Sequence, residues 1–532
     1  IGFFLKLSLF PVTVFLFYYY SESILLSWIV TGLVLFCGLF LEPLLKVWYY
    51  SRQGIPIENL NPLNVNPCLI FHDWQRIVTT YEKAFITLRG TETSIAIFDP
   101  VLTRQVTVTK EASFPKDVQS NFAPLISVWL GYESFGVMKH EEHRTLRRIL
   151  NKSFKSDRMY AMLPMMESSA NKTTERLLAK IRKEDQNLRV RMNLKMGQVT
   201  IDIMSNALFG SGYDSLYDAD GRNIRDYFTE GLELLIDTLI HPWFNLFPSL
   251  VFQYNAIESG QKLRANSKRM HALTSRLVAR RIEEAKKNPE LLNETDLLNF
   301  LIKGTLEFHG LEFSDVDVLV KNHILVGTCL SFMFAGYETT THLLSWFWYA
   351  LDQHPEVYDK VISELDGVFP DQDQKRSLDS LIFTPERLQK LTYMQYVINE
   401  VQRYYNIAMG VMRRRANKDV QIGEFNIKKG TAVEPLSFFM HLHPKHWDDP
   451  HVFRPERWES EKRETSKFMA FGAGSRTCIG QWFAYQEAKV VLTKLLLHVR
   501  AHTDPECVVK PRYRLIVEFE NDLHMILKER VQ

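Results

Sequence analysis

The segment from Phe471 to Gly480 constrains this chain more than any other part of the sequence. It reads Phe471-Gly472-Ala473-Gly474-Ser475-Arg476-Thr477-Cys478-Ile479-Gly480 and is followed by a helical pattern that begins at Gln481. The glycines let the backbone approach a flat ligand closely. The positive dipole end and the N–H groups of the following helix favour a thiolate over a thiol. The segment therefore predicts a cysteine thiolate presented from a glycine-rich loop at a helix N-terminus.

This loop matches the pattern F-x-x-G-x-R-x-C-x-G at Phe471, Gly474, Arg476, Cys478 and Gly480. It resembles the cysteine-ligand signature of the cytochrome P450 (haem-thiolate monooxygenase) family. The resemblance implies that Cys478 is the axial ligand of the iron of haem b, and that Phe471, Gly472 and Gly480 also contact the haem. A thiolate ligand suits oxygen-bond cleavage. The alternative is a buried cysteine in a Gly-rich turn, which is the usual role of a lone cysteine.

A second pattern lies in the middle of a long helix. The chain from Ser314 to Leu351 has no proline, and we expect Ser314 to cap this helix and His354-Pro355 to mark its end. A glycine inside a helix costs about 1 kcal/mol relative to alanine. We therefore expect the small pair Ala335 and Gly336 to let a planar ligand lie against the helix.

The run Ala335-Gly336-Tyr337-Glu338-Thr339-Thr340 resembles the A-G-x-[DE]-T-T signature of the same family. The resemblance implies that Glu338 and Thr339 are catalytic and deliver protons to dioxygen bound at the haem, which is a form of general acid catalysis. The alternative is that Thr339 bonds to the helix carbonyl one turn earlier and that Glu338 is merely exposed.

An acid and a base three residues apart, Glu400 and Arg403, share one helix face. Such pairs are common on surfaces. Here they resemble the E-x-x-R pair of the family, which is buried and completed by an arginine from a later P-E-R-F-like segment. That segment matches at Arg457, with Trp458 in place of the final Phe. The resemblance implies a structural triad of Glu400, Arg403 and Arg457 that holds the loop before the cysteine.

Haem carries two propionates, and buried carboxylates need cationic or N–H partners. The candidates are Arg476 in the cysteine loop, Arg415, Arg147 and His143. The family supplies W-x-x-x-R on an early helix. Here His143 stands where Trp is common, and Arg147 follows it by four residues.

The N-terminus is apolar in two pieces, Leu7 to Ser21 and Ile24 to Leu41. The second piece is about long enough to cross a bilayer of roughly 30 Å. Trp48, Tyr49 and Tyr50 are candidates for the membrane interface. One or two spans are both compatible with the sequence, and a cleaved signal peptide is the competing interpretation, although no small-residue cleavage site is obvious.

Beyond the anchor we expect one catalytic domain, so the division is 1–52 for the anchor and 53–532 for the haem domain. The fold class is mainly α with minor β, as in cytochrome P450 enzymes. Strand-like patches lie at 81–108, 420–433 and 513–527, and a long amphipathic helix spans Leu263 to Lys287.

Charge and cysteine content narrow the partners and the compartment. There are 64 basic and 62 acidic residues, so we expect no nucleic acid partner. The five cysteines contain no C-x-x-C pair, which argues against a disulfide framework and suits a reducing compartment. The anchor predicts that the rest of the chain lies on the cytosolic side of a membrane. The resemblance, which is to the eukaryotic membrane-anchored microsomal type of the family, implies that this is the endoplasmic reticulum membrane.

The resemblance implies that substrate lies above the haem. Four variable segments, 121–130, 235–250, 330–336 and 408–412, are rich in apolar side chains and predict a pocket for a lipophilic small molecule, although core packing explains each residue equally well. The side chains concerned are Phe122, Trp129, Trp243, Phe244, Phe247, Phe332, Phe334, Met409 and Met412. No Gly-rich dinucleotide fingerprint follows a strand, so we expect a separate NADPH-dependent flavoprotein reductase, or a cytochrome b-type electron donor.

Together these patterns predict a membrane-anchored haem-thiolate monooxygenase that uses dioxygen. A haem-thiolate enzyme that rearranges a peroxide without a reductase is the first alternative, and the intact Glu338-Thr339 pair argues against it. A non-catalytic haem-binding protein at the membrane is the second.

Overall fold

The computed structural model describes most of the chain beyond residue 23. The described residues are 24–59, 69–117, 122–131, 135–152, 154, 156–184, 187–210, 216–218, 220–246, 256–288, 290, 297–317, 324–370, 378, 381–410, 413–460 and 466–530. The first apolar piece, Leu7 to Ser21, therefore lies outside the described residues, and the number of membrane spans stays open.

Helices dominate this part of the chain, as the sequence predicts. In chain order they are α1 Ile24–Ser51, α2 Leu69–His72, α3 Trp74–Thr80, α4 Pro100–Arg104, α5 Phe122–Leu130, α6 His140–Leu150, α7 Ser156–Ala161, α8 Leu163–Lys183, α9 Met192–Phe209, α10 Ile224–Leu239, α11 Pro242–Leu246, α12 Glu258–Lys287, α13 Leu297–His309, α14 Ile324–Gln353, α15 Pro355–Val368, α16 Pro385–Lys390, α17 Thr392–Tyr404, α18 Ser437–Leu442, α19 Arg457–Ser460 and α20 Gln481–Leu496. Short 3₁₀ turns occupy Glu111–Ser113, Phe313–Asp315 and Gly474–Arg476, and a π-helical turn occupies Gln105–Thr109.

The strands form small sheets around the helices. They are β1 Ile57–Asn59, β2 Ala84–Arg89, β3 Glu92–Ile97, β4 Leu188–Arg191, β5 Arg414–Arg415, β6 Val420–Ile422, β7 Phe425–Ile427, β8 Ala432–Pro435, β9 Val499–Thr503, β10 Pro511–Tyr513, β11 Val517–Phe519 and β12 His524–Glu529. The predicted class, mainly α with minor β, is confirmed.

The largest sheet joins strands from distant parts of the chain in the order β1-β2-β3-β8-β5. β2 and β3 are antiparallel, with Ala84 opposite Ile97, whereas β3 and β8 are parallel. A second sheet has the order β4-β12-β9. The β10–β11 hairpin places Arg512 opposite Glu518.

Helix α14 runs through the centre of the described structure. Almost every side chain from Leu325 to Leu351 is buried, because the helix is apolar all round and α9, α12, α17 and α20 pack against it. The predicted N-terminal cap is wrong. Ser314 lies inside a 3₁₀ turn that Glu312 and Asp315 cap reciprocally, and α14 is described only from Ile324.

The strand-like patch at 81–108 is only partly a sheet. β2 and β3 account for its first part, but α4 and the π-helical turn at Gln105–Thr109 follow. Asp99 accepts a hydrogen bond from the Leu102 N–H at 2.9 Å, and Pro100 occupies the first helical position. The Asp-Pro pair is a helix-start signal that overrides the β-branched composition after it.

Helix α1 connects the apolar N-terminus to the largest sheet. By length and composition, Gly32–Ser51 can cross a membrane, with a mean hydropathy of 1.5. Its last turns pack on the sheet, where the Tyr50 hydroxyl lies 2.6 Å from Thr431 Oγ1 and Thr93 donates to the Pro43 carbonyl at 2.8 Å. Trp48 is exposed, whereas Tyr50 is fully buried and therefore does not face a membrane interface.

Candidate functional site

The cysteine loop holds Cys478 between a 3₁₀ turn and the first residue of α20. The Cys478 N–H donates to the Phe471 carbonyl at 2.8 Å, which closes the loop on itself. The Cys478 side chain is accessible, but the protein around it desolvates the sulfur and raises the pKa of the thiol. The Gly480 N–H and the charge of Arg147 act in the opposite direction. In the protein alone, burial therefore outweighs the helix-end effect that the sequence predicts.

Contacts with the turns that follow α4, at Gln105–Thr109 and Glu111–Ser113, fix the position of this loop. Gly474 has a φ of 72°, and a Cβ atom there would overlap the Thr107 carbonyl oxygen. Glu111 accepts hydrogen bonds from the N–H of Ser475, at 3.2 Å, and from its hydroxyl. The π-helical turn and the 3₁₀ turn after it thus form one wall of the cysteine loop, which the sequence motifs did not indicate.

The three residues of the predicted triad form one buried ion-pair cluster. Arg403 donates to both oxygens of Glu400, at 2.9 and 2.8 Å. Arg457 donates to Glu400 Oε1 at 3.1 Å. Trp458, which stands where the family motif has Phe, donates its indole N–H to Glu400 Oε2 at 3.1 Å. Every side chain of the triad is almost completely buried, so the cluster is closed to solvent.

A histidine connects this cluster to the segment before the cysteine. Asn406, whose side-chain N–H donates to the Arg403 carbonyl at 2.6 Å, also accepts a hydrogen bond from His441 Nδ1 at 2.6 Å. The other ring nitrogen accepts from the Met469 N–H at 3.0 Å. Burial, helped by the charge of Arg403, lowers the pKa of His441 to about 3. His441 is therefore neutral, which matches one donating and one accepting nitrogen.

On α14 a single stripe interrupts the burial of the helix. Ser331, Ala335, Gly336 and Thr339 are partly or fully accessible, and their spacing puts them on one helix face. The Thr339 hydroxyl donates to the Ala335 carbonyl at 2.7 Å. The back-bonding alternative for Thr339 is thus present, whereas the alternative of an exposed Glu338 is wrong, because Glu338 is 9% exposed.

Gly336 has a packing role that the motif did not suggest. A Cβ atom at this position would overlap the side chain of Met204 on α9. Helix α9 approaches α14 closely at this point, so a larger residue here would require the Met204 side chain to move. The neighbouring Ala335 is the member of the pair whose side chain is exposed.

A cluster of buried and partly buried cations lies beside the cysteine loop. Arg147 on α6 donates to the Thr477 carbonyl, and Arg476 donates to the Met138 carbonyl at 3.0 Å. Arg414 is completely buried, and none of its three guanidinium nitrogens has a hydrogen-bond partner among the described residues. Arg476 Nε is likewise buried without one in this part of the chain. The only acid close to Arg414 in the described residues is Glu111, at 3.7 Å.

The electrostatics of this cluster indicate an excess of positive charge. Burial, with added repulsion from Arg414, lowers the pKa of Arg476 to about 9. Burial and the charges of Arg476 and Arg414 lower the pKa of Lys116 to about 7. Buried cations whose pKa values fall in this way lack anionic partners. Arg414 and Lys116 were not selected from the sequence, because no motif around them marks a ligand.

The other two residues that the sequence predicts as propionate partners, Arg415 and His143, have different surroundings. Arg415 donates to Asp117 at 2.8 and 2.7 Å, to Glu92, and to the Gly430 carbonyl at 2.8 Å, so its donors are engaged within the protein. His143 is buried, and its ring lies 4.6 Å from that of Phe135, which in turn contacts Phe332 of α14. This aromatic contact joins α6 to α14.

The apolar side chains expected around the substrate differ in their exposure to solvent, and not all of them lie within the described residues. Trp129, Phe334 and Phe228 pack together, with ring centroids 4.8 Å apart for the first pair and 5.5 Å for the second. Trp243 is exposed, and Phe244 is buried. Phe247, Met412 and the side chain of Phe122 lie outside the described residues.

The sequence as a whole is similar to known proteins. A family model described as Cytochrome P450 matches residues 61–522. The chain is similar to Cytochrome P450 3A13 of Mus musculus, with 29% identity over 457 residues that cover 83% of this chain and 84% of the relative. It is also similar to Cytochrome P450 3A9 of Rattus norvegicus, with 28% identity over 427 residues and 78% of each chain. Cytochrome P450 3A29 of Sus scrofa matches at 28% over 426 residues, again 78% of each chain.

Proposed function

Because the chain belongs to the cytochrome P450 family and is therefore a haem-thiolate monooxygenase, we propose that its substrate is a lipophilic small molecule. One atom of dioxygen enters that substrate and the other leaves as water. Electrons come from a separate NADPH-dependent flavoprotein reductase, or from a cytochrome b-type donor. The observation that carries the proposal is the accessible Cys478 thiol together with the buried Arg414 guanidinium, whose three nitrogens lack hydrogen-bond partners in the described structure.

The residues around the cysteine loop fit haem b. Cys478 would supply the sulfur ligand, and the accessible stripe on α14 would supply a small-residue surface at Ala335. Haem, when bound, would supply an iron that activates dioxygen. Its two carboxylates fit the cation cluster, since unpaired buried guanidinium groups need anionic acceptors.

We assign the propionates to Arg476 and Arg414, with Arg147 and His143 beside them. The unpaired donors of Arg414 and Arg476 are the reason for this choice. The sequence prediction that Arg415 binds a propionate stays a prediction. Because Arg415 already pairs with Asp117 and Glu92, we favour the neighbouring Arg414 of β5 as the propionate partner.

The Glu400–Arg403–Arg457 triad has a structural role in this proposal. The triad fixes the chain segment that carries His441. The His441 ring accepts a hydrogen bond from the Met469 N–H, and the Met469 carbonyl accepts one from the Gly472 N–H at 2.9 Å. Each link is a buried hydrogen bond, so the loop that carries Cys478 is positioned from the triad outward.

Glu338 and Thr339 deliver protons for oxygen cleavage. The Thr339 hydroxyl gives its hydrogen to the Ala335 carbonyl, which leaves oxygen lone pairs to accept a hydrogen bond on the accessible face of α14. Glu338, one residue earlier, is buried and supplies the proton. Thr339 thus orients the proton carrier, and Glu338 is its source.

We also propose a location in the endoplasmic reticulum membrane, with residues 53–532 on the cytosolic side and residues 1–52 as the anchor. The apolar length of α1 supports a span. The packing of Tyr50 on the sheet ties the end of that anchor to the haem domain, so the span and the domain have a defined mutual orientation.

A carbon monoxide difference spectrum tests the proposal. The full-length chain is expressed with haem available, reduced and exposed to carbon monoxide, beside Cys478→Ala and the control Cys507→Ala, which removes a free cysteine after α20. The wild type and the control should show the strongly red-shifted Soret band of a thiolate opposite carbon monoxide, and Cys478→Ala should lose it. Absence of haem from the wild type, or a shift that survives in Cys478→Ala, would contradict the assignment.

Reductase dependence separates this function from its alternatives. We expect NADPH consumption only when the reductase is added. Conversion of an organic peroxide without NADPH would favour the peroxide-rearranging enzyme. Full haem loading with neither reaction would favour a non-catalytic haem protein.

A further inference from the structure

His342 lies one turn beyond Glu338 on α14 and is enclosed by protein. The two side chains are only 8% and 11% exposed, and His342 Nε2 lies 3.3 Å from Glu338 Oε1. The other ring nitrogen, Nδ1, is buried and has no hydrogen-bond partner among the described residues. A titratable ring with one nitrogen on the predicted proton donor and the other nitrogen unused is unusual in a helix that is otherwise apolar.

A second carboxylate lies on a strand that packs against α14. Glu518 lies in β11, which is held against α14 by Trp346: the indole N–H donates to the Val517 carbonyl at 2.9 Å, and the ring stacks on Phe519 with centroids 4.0 Å apart. Glu518 interacts electrostatically with both His342 and Glu338. Its Oε1 is buried without a hydrogen-bond partner in the described structure.

From Glu518 the charged groups continue to the surface. Arg514 Nη1 lies 3.7 Å from Glu518 Oε1 and 3.6 Å from Glu233 Oε1 of α10. The side-chain exposure is 17% at Glu518 and 53% at Glu233. The charged groups that face the pair are thus Glu338 on α14, Arg512 and Arg514 on the β10–β11 hairpin, and Glu233.

We propose that His342 and Glu518 form a proton path that recharges Glu338 from solvent at the β10–β11 hairpin. The proposal rests on the proposed monooxygenase function, in which Glu338 gives up protons during oxygen cleavage. It names this chain's own route for replacing them. His342 acts through Glu338 and is a positioning and relay residue, not a catalytic one.

Each proton that moves along the path has a donor and an acceptor. Protonated His342 gives its Nε2 proton to Glu338 Oε1 and becomes neutral. The imidazole ring then rotates so that the deprotonated Nε2 faces Glu518 and takes a proton from its carboxyl group. Glu518 takes a proton from solvent beside Arg514 and Glu233. Buried polar atoms without a direct partner are commonly bridged by water, which can carry the proton between His342 and Glu518. No oxidant or reductant is involved.

The electrostatics agree with this geometry. Burial lowers the pKa of His342, but the hydrogen bond and charge of Glu338, with the charge of Glu518, outweigh it and raise the pKa above its ordinary value. Burial raises the pKa of Glu518 to about 7, with the charges of His342 and Glu338 acting in opposite directions. Glu518 therefore exchanges protons near neutral pH, and the raised pKa of His342 favours the protonated ring that gives a proton to Glu338.

The competing explanation is a structural ion pair that only anchors β11 to α14. A structural pair would change stability when removed, but it would not change how the reaction depends on pH or on solvent deuterium. These two readouts decide between the explanations.

The test uses the full-length holoenzyme in lipid with an NADPH-dependent flavoprotein reductase. His342→Gln keeps a hydrogen bond to Glu338 but carries no proton, and Glu518→Gln removes the outer carboxylate. His502→Gln is the matched control, because His502 Nδ1 lies 3.0 Å from Asp352 Oδ1, also on α14, in an exposed pair. The rate of NADPH oxidation is measured across pH and in deuterated water.

We expect His342→Gln to oxidise NADPH several-fold more slowly, with a larger solvent isotope effect and a fall in rate that begins at lower pH. Glu518→Gln should show the same changes to a smaller degree, and His502→Gln should match the wild type. If Glu338→Gln slows the reaction while both relay variants match the wild type, the path is wrong but the proposed function stands. If the haem-loaded wild type consumes no NADPH, the proposed function fails, and the path fails with it.

A readout without turnover uses the pH dependence of thermal unfolding. A group whose pKa is raised on folding adds stability that is present below its unfolded pKa and is lost as pH rises through the folded pKa. For Glu518 this loss runs from roughly pH 4.3 to about 7. As pH rises over this interval, the Tm of Glu518→Gln should therefore fall less than the Tm of the wild type. Equal slopes in the two proteins would overturn the assigned protonation of Glu518.

Discussion

Two clusters of buried charge lie on neighbouring helices, α17 and α14, and differ in how fully they are paired. Both oxygens of Glu400 on α17 accept hydrogen bonds, from Arg403, Arg457 and Trp458. On α14, His342 makes one hydrogen bond, to Glu338, while its Nδ1 and Glu518 Oε1 have none within the described residues. A fully paired cluster gains rigidity, whereas a partly paired one retains atoms that exchange protons or bind a ligand.

The cation cluster at Arg414 belongs with the second kind. The guanidinium donors of Arg414 are buried and lack hydrogen-bond partners in the described part of the chain, whereas the cysteine loop is itself held by paired contacts. Full pairing is thus found where the cysteine segment must be held in place, and incomplete pairing where we propose that haem and protons arrive. The following variants test this contrast.

The largest effect is expected from Glu400→Gln in the fully paired cluster. Loss of the charge leaves Arg403 and Arg457 buried without an anion, which costs roughly 3–5 kcal/mol. The free energy of unfolding is measured by denaturant titration, together with haem content. Glu459→Gln, an exposed acid on α19, is the control and should change stability by less than about 0.5 kcal/mol. Equal effects of the two variants would show that the cluster is not specially stabilising.

Trp458→Phe restores the residue that the family motif has at this position and tests one bond of the same cluster. It removes an N–H donor to a charged oxygen, which is worth about 1.5–3 kcal/mol. Trp447→Phe makes the same change in size, but its N–H donates to the neutral Met440 carbonyl, so we expect a smaller loss of about 0.5–1.5 kcal/mol. Denaturant midpoints compare the two. A larger loss in Trp447→Phe would mean that packing, and not charge, dominates here.

The neighbouring arginines of β5 should respond differently to the same substitution. Arg414→Gln removes the guanidinium that we assign to a propionate, so haem should dissociate faster while the fold tolerates the change. Arg415→Gln leaves Asp117 and Glu92 with less compensation, so the protein should unfold at a lower temperature but retain haem until it unfolds. Transfer of haem to an apo-globin acceptor and thermal unfolding measure the two effects. Faster haem loss from Arg415→Gln, together with a lower unfolding temperature of Arg414→Gln, would show that Arg415 is the propionate partner.

Several features could be read from the sequence because they depend on local spacing. The cysteine loop, the central run on α14 and the Glu400–Arg403 pair each lie within ten residues, so a short pattern contains the whole constellation. The position of His342 four residues after Glu338 was also available, since residues at that spacing share a helix face. It was not selected, because no family pattern pointed to it.

Other features depend on strands and turns that meet only after folding. Arg414 and Arg415 are adjacent in the sequence, yet alternate residues of a strand face opposite sides, and the order β1-β2-β3-β8-β5 decides which side meets the cysteine loop. The wrong cap at Ser314 and the helix at 100–104 are failures of local propensity, where Glu312 and Asp99 provide stronger caps.

The sequence by itself determined the family and the mainly helical class, and it predicted the thiolate ligand and the acid–alcohol pair, because each depends on residues that are close together in the sequence. Only the tertiary structure decided which buried charges are paired. Trp458 donates to Glu400, Ser475 donates to Glu111, and the strand that carries Glu518 packs on α14, each across a long stretch of chain. Whether a buried polar atom has a partner is a property of packing in three dimensions, which no local pattern contains.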